Sequence, residues 1–226
     1  ILNMVSSTTE IFEPLFNLFV WLGILVGVVV IAIFLIVIFK YRDRGSKTPE
    51  PEDTPILGKV PEERGHLKTV IVSLALSIII LTFLLNGTFA AIDTLNTPPS
   101  GTLNVQVSGF QWGWKFVYPN NYQDTVLRVP KDETVILKIV SDDVAHSFGV
   151  LEYKTKMDAL PGRTNTIWFI PKDTGEYNIV CFEFCGVGHA FMKTKLIVMD
   201  PAEFQDWYSK VKPAEAEHPA QGASRP

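Results

Sequence analysis

Cysteine is nearly absent from this chain: 226 residues contain two, with four histidines and four methionines. That scarcity excludes a disulfide-dense secreted scaffold, because two cysteines close at most one bridge. No Cys-x-x-Cys-His occurs, so no covalent c-type haem is carried, and no glycine-rich phosphate loop or dinucleotide fingerprint appears. The first fourteen residues contain no Lys or Arg. Net charge is only −4 at neutral pH, without the basic excess that nucleic-acid binding requires.

The scarce residues are gathered in one place. Cys181-Phe-Glu183-Phe-Cys185-Gly-Val-Gly-His189-Ala-Phe-Met192 sets four soft or borderline donors in the order Cys-x3-Cys-x3-His-x2-Met. Thiolate and thioether select copper, which imidazole also accepts. Cys185, His189, Met192 and one more histidine would complete a mononuclear blue-copper set, leaving Cys181 surplus. A second thiolate at that spacing can bridge a second copper, and the competing use of two cysteines is a disulfide. The ligand pattern favours copper over the bridge.

The missing histidine lies upstream. His66 adjoins an apolar segment and His218 sits in a Pro/Ala-rich tail. His146 follows the alternating run Thr134 to Val140 and occupies the turn Asp142-Asp143-Val-Ala-His146, which opens another strand. It is the expected partner of the downstream ligands.

Apolar residues are concentrated twice. Leu15 to Phe39 is 25 residues without a charge and Val70 to Ile92 is another 23, each longer than the ~20 that cross a bilayer core. Between them lie Lys40, Arg42, Arg44, Lys47, Lys59, Arg64 and Lys68. The positive-inside rule puts this 40–69 connection in the cytoplasm and both termini outside. An outward amino terminus, opened here by Ile1 rather than Met, is the kind a removable export signal precedes. Ser73 and Ser77, one helical turn apart, suit close helix packing, and Asn86 is positioned to meet another subunit.

A Pro/Gly linker, Asn96 to Gly101, separates this hairpin from short β-branched and aromatic runs over residues 102–199, broken by Pro-Asn, Pro-Gly and Asp-Thr-Gly turns. The expected division is a two-helix membrane domain over 1–95, an external all-β domain over 96–200, and a short helix with a disordered tail over 201–226. In Gln111 to Tyr118 a period of two aligns Trp112, Trp114, Phe116 and Tyr118. Trp114, Phe116 and Tyr118 read as core. Residues 93–200 carry twelve acidic and ten basic side chains, a net of −2, so no strongly charged docking face is evident. Asp142, Asp143, Glu152 and Asp158 lie near the ligand-bearing turns as a candidate acidic rim.

The ligand loop, the upstream histidine and the paired spans together resemble subunit II of cytochrome c oxidase, of the haem–copper oxygen reductases. The resemblance covers most of the chain. It implies two transmembrane helices followed by a cupredoxin-like Greek-key sandwich holding a dinuclear copper A centre. It further implies Cys181 and Cys185 as bridging thiolates, His146 and His189 as one imidazole per copper, Met192 as a weak ligand to one copper, and the Glu183 carbonyl as a weak ligand to the other. The Glu183 side chain would reach a magnesium ion against subunit I. Trp112 would receive electrons from cytochrome c or a similar separate donor, although Gly113 stands where many members carry another aromatic. Asp158 to Arg163 resembles the family's turn beside the copper loop.

Glu62 and Glu63 lie near a family proton-path position, but the family's Leu-Glu before Trp is replaced here by Leu67-Lys68. The implied partners are oxidase subunit I, the other oxidase subunits, an electron-donor protein and membrane lipid, in a prokaryotic plasma or mitochondrial inner membrane with the copper domain outside. Oxygen reduction would occur in subunit I. Quinol oxidase subunits share the architecture without these ligands, and nitrous oxide reductase carries the copper pair behind a propeller. A membrane-tethered copper carrier, or an interaction domain stapled by a Cys181–Cys185 disulfide, is the reading from a different class.

Overall fold

A computed structural model describes residues 5–42, 66–100 and 103–213. The 43–63 connection with Glu62 and Glu63, His218 and the tail after 213 lie outside the described residues. Two compact units divide the chain: Pro14–Ala90 forms one, and the described residues on either side of it form the other.

The first unit holds most of helices α1 (Ser7–Tyr41) and α2 (Leu67–Asn96). Both run beyond the charge-free segments, because a helix continues past the stretch that lipid must cover. Their apolar side chains point outward, and both helices are long and apolar enough to cross a membrane. Leu15 lies where a side chain at Gly87 would touch it, so the helices meet there. Ser73 bonds the Val70 carbonyl (2.9 Å), Ser77 that of Ser73 (2.8 Å) and Asn86 that of Thr82 (2.8 Å). Each polar side chain is thus satisfied within its own helix, the back-bonding that Ser and Thr favour mid-helix.

The second unit is a sandwich of short strands. One sheet orders β3 (Gln123–Asp124), β2 (Gly113–Val117), β1 (Leu103–Phe110), β5 (Val135–Ser141) and β8 (Asn165–Phe169). The other orders β4 (Leu127–Pro130), β10 (Lys193–Met199), β9 (Gly175–Cys181), β6 (His146–Val150) and β7 (Thr155–Ala159). Alternation builds the inner faces: Leu103, Val105 and Val107 on β1 and Val135, Leu137 and Ile139 on β5 are all buried. Two pairings are parallel, β1 with β5 and β4 with β10. Strand β6 is buried at every residue, so it shows no alternation.

Edge-to-face aromatic contacts fill the interior. Trp114 meets Phe148 at 5.3 Å between centroids and Phe116 meets Phe148 at 6.3 Å. Helix α3 (Pro201–Lys210) closes one end, with Phe204 buried and Trp207 against Tyr118 at 5.5 Å. The Tyr118 hydroxyl accepts from the Arg128 amide (2.7 Å) and donates to its carbonyl (3.0 Å).

Residues 5–13 belong to this β unit. Ser6 and Thr9 cap α1 reciprocally, Ser6 N–H to Thr9 Oγ1 (3.1 Å) and Thr9 N–H to Ser6 Oγ (3.3 Å). The Ser7 amide bonds the Ile170 carbonyl (3.0 Å), the Ile170 amide bonds Ser7 Oγ (2.9 Å), and the Thr8 hydroxyl reaches the Tyr153 carbonyl (2.7 Å). Ser6, Ser7, Thr8 and Thr9 are buried here because each finds a partner.

Phe116 is fully buried between the sheets, so Phe116→Ala is expected to cost about 3–5 kcal/mol of unfolding free energy. Denaturant melting followed by tryptophan fluorescence checks it.

Candidate metal centre

Cys181 ends β9 and Lys193 begins β10, and the eleven-residue connection between them carries the other loop donors. The Cys181 amide bonds the Met192 carbonyl (3.1 Å), so the two outermost donors are fixed to the same rung. A 3-10 turn, His189–Phe191, bends the chain back, with the His189 amide on the Gly186 carbonyl (3.1 Å). His146 arrives from the neighbouring strand, as the first residue of β6.

The donor atoms converge. Ligand atoms of His146, Cys181 and Cys185 all lie within 4.8 Å of one another. The two sulfurs are 3.9 Å apart, far beyond the ~2.05 Å of a disulfide, and both cysteines are free. Cys185 Sγ is 3.6 Å from His189 Nδ1 and 3.7 Å from Met192 Sδ. The Glu183 carbonyl oxygen lies 3.2 Å from Cys181 Sγ, inside the cluster, while its side chain is exposed. His146, Cys181, Cys185 and Met192 are buried and His189 is half-buried. The six metal-site residues expected from the sequence therefore meet.

Electrostatics suit a cation. Partial burial works to raise the Asp143 carboxyl. The hydrogen bond to His146 and those from the Val144 and Gln111 amides outweigh it and hold the group below its ordinary value. An ionised carboxylate only accepts, so the 2.8 Å contact assigns the proton to His146 Nε2. That leaves Nδ1 as a lone pair, buried and without a hydrogen-bond partner among the described residues. An orphaned imidazole nitrogen beside two thiols fits a soft metal ion, with Asp143 orienting the ring. Burial and the neighbouring Cys181 push the Cys185 thiol up to about 11. A metal must therefore displace protons to bind.

Trp112 lies just before β2, 40% exposed, while Trp114 is buried. Its Nε1–H donates to the Cys185 carbonyl (3.1 Å), which also accepts from Gln111 Nε2 (2.8 Å). The ring lies flat on Gly188, where a Cβ would fall 2.3 Å from the indole, so only glycine permits the approach. Within the loop itself Phe184, Val187 and Phe191 are exposed. The Asp158–Arg163 turn is pinned by the Arg163 amide on the Leu160 carbonyl (3.4 Å).

Sequence reasoning missed Asp143 as the partner of His146 and Gln111 as a brace of Cys185. The spacing Asp143-x2-His146 was visible, but only the turn's geometry distinguishes an orienting carboxylate from a solvated one.

A model of the periplasmic domain of cytochrome c oxidase subunit II matches residues 122–200, a stretch that contains His146 and the whole ligand loop. The chain is 34% identical to heme-copper oxidase subunit 2 of Aeropyrum pernix over 214 residues, 91% of this chain and 92% of that protein. It is 33% identical to cytochrome c oxidase subunit 2 of Alkalihalophilus pseudofirmus over 207 residues, 87% of this chain but 57% of that longer protein. Among solved structures, the periplasmic domain of subunit II of Bradyrhizobium japonicum cytochrome oxidase is 29% identical with a TM-score of 0.49. That match covers 51% of this chain and 96% of that one.

Two outcomes are expected at this centre. Metal affinity rises with pH below about 11 as the Cys185 thiol is deprotonated, by about tenfold per pH unit for each proton released; competition titrations at several pH values measure it. Asp143→Asn weakens metal binding by about 10–100-fold, the usual cost of losing a carboxylate behind a histidine ligand, in the same titration at fixed pH.

Proposed function

Because the chain belongs to the family of subunit II of the haem–copper oxidases, we propose that it is the electron-accepting subunit of a terminal respiratory oxidase, taking electrons from cytochrome c or a similar donor. In this reading His146, Cys181, Cys185, His189, Met192 and the Glu183 carbonyl hold a dinuclear copper A centre. Electrons then pass to haem in subunit I, where oxygen is reduced. Membership itself makes the chain a membrane-anchored subunit of an oxidoreductase complex.

The observation that carries the proposal is the clustering of two free thiols with the His146 imidazole, all within 4.8 Å, with His189 Nδ1 and Met192 Sδ 3.6 and 3.7 Å from Cys185 Sγ and His146 Nδ1 without a hydrogen-bond partner among the described residues. Two thiolates favour a bridged metal pair over the mononuclear set, which needs one. Bound there, copper would supply the one-electron redox chemistry that these side chains lack.

The chain's own residues hold that chemistry rigid and dry. The β9–β10 rung and the 3-10 turn fix the loop, and Asp143 fixes the His146 ring. Fixed ligands keep geometry constant between oxidation states, which is what rapid transfer requires. Trp112 offers an exposed indole to a docked donor and is hydrogen-bonded to the backbone of Cys185, one of the bridging residues in this reading. The exposed Glu183 carboxylate is available to a magnesium ion at a subunit I interface. In this reading the two long apolar helices cross a prokaryotic plasma or mitochondrial inner membrane, with lipid around them and the copper domain on the outer side.

The full chain loaded with copper is expected to hold two coppers that share one unpaired electron, measured by metal analysis with electron paramagnetic resonance. One copper per chain would make it a blue-copper carrier instead, and none would remove the electron-transfer role. In the loaded protein Trp112→Ala should slow reduction by cytochrome c in stopped flow without changing the copper content; equal rates would take electron arrival away from Trp112.

A further inference from the structure

Away from the metal centre, two grooves in the β unit flank Lys156. One, of about 350 Å³, is walled by Phe12, Val150, Leu151, Lys154 and Phe182. The other, of about 200 Å³, is walled by Ile92, Leu95, Met157 and Trp168. Along the chain Phe12 lies just before Pro14 and Ile92 just after Ala90, where the membrane-spanning unit begins and ends. The groove walls therefore include residues immediately adjoining both spans, at the level where headgroups replace hydrocarbon.

Three features define what fits there. The first groove is apolar yet open: Leu151, Phe182 and Phe12 are 47%, 42% and 39% exposed, more clustered apolar surface than solvent favours. Phe182 is held in that wall by Gly149, where a Cβ would fall 2.3 Å from the ring. Lys154 and Lys156 are both exposed, and neither ammonium has an ion-pair partner among the described residues.

Neither acid of the same β6–β7 hairpin, Glu152 or Asp158, forms an ion pair with them among the described residues. Glu152 is drawn to Asn178, accepting from its amide (3.1 Å) and from Nδ2 (2.8 Å). The Trp168 indole, bonded to the Leu95 carbonyl (2.9 Å), adds an amphipathic ring of the kind enriched at the membrane interface. Lysine stems can lie along the apolar walls while their ammonium groups reach a phosphate.

We propose that the β6–β7 hairpin seats an anionic phospholipid of the surrounding bilayer, with its phosphate on Lys154 and Lys156 and its acyl chains along Phe12, Leu151 and Phe182. The charge of the two lysines selects an anionic headgroup, and the apolar walls select an amphiphile over a free anion. The site is independent of the copper reading, since none of the proposed ligand residues takes part.

The test reconstitutes the full chain in nanodiscs of equal phosphatidylcholine and phosphatidylglycerol, strips it with mild detergent, and counts retained phospholipid by native mass spectrometry. Phosphatidylglycerol is expected to be enriched up to about twenty-five-fold, about fivefold for each of the two surface lysines. The Lys154→Gln/Lys156→Gln variant should return retention to parity, whereas Lys138→Gln, on an exposed position of β5, should not. Unchanged thermal midpoints establish that both variants fold. Equal retention by the wild type, or enrichment that survives in the double variant, overturns the proposal. So does a photo-crosslinker at position 154 of the assembled oxidase that labels a protein subunit rather than lipid.

Discussion

Cys181 and Met192 face each other across one rung, amide to carbonyl, where β9 gives way to β10. Everything at the metal centre depends on that closure. A loop of this length left free could not hold three further donors within bonding reach of a common point, because each would exchange among rotamers at an entropic cost on ordering. Tying the ends to a sheet that continues through β4 and β6 moves that cost from metal binding into folding. His146 on β6, the candidate ligand from outside the loop, is positioned by the same sheet.

The site also carries a deliberate deficit. A buried imidazole nitrogen without a hydrogen-bond partner among the described residues is unfavourable, and burial with a neighbouring thiol disfavours ionisation of Cys185. The buried Trp114 ring packs edge-on against His146, 6.0 Å between centroids. Stability stored in the core thus supports a locally unstable arrangement that a soft cation relieves, as functional sites commonly require.

Much of this was legible in the sequence, unevenly. The helices follow from two charge-free runs and the strands from alternation, both of which are local patterns. The ligand loop was legible because rare residues at fixed spacing carry more information than common ones. The parallel pairings of β1 with β5 and β4 with β10 were not, since register between distant strands leaves no local trace. Strand β6, buried on both faces, lacks the period that marks a half-buried strand. The cap at Ser6 and Thr9 was invisible for another reason, as Thr replaces the Glu or Gln that marks such a box. Asp143 read as surface charge because a carboxylate three residues before a histidine is commonplace until a turn brings them to 2.8 Å.

The anchoring of residues 5–9 bears on how the chain is made. Thr8 bonds the carbonyl of Tyr153, 145 positions later, and Ser7 receives the amide of Ile170, 163 positions later. The start of α1 therefore precedes its partners by most of the β domain and is among the last segments of that unit to find them. Contacts of such separation form slowly. Ser6 and Thr9 satisfy each other within the cap from the outset, whereas the Thr8 hydroxyl and the Ser7 side chain gain their partners only when the β6–β7 turn and the end of β8 are in place.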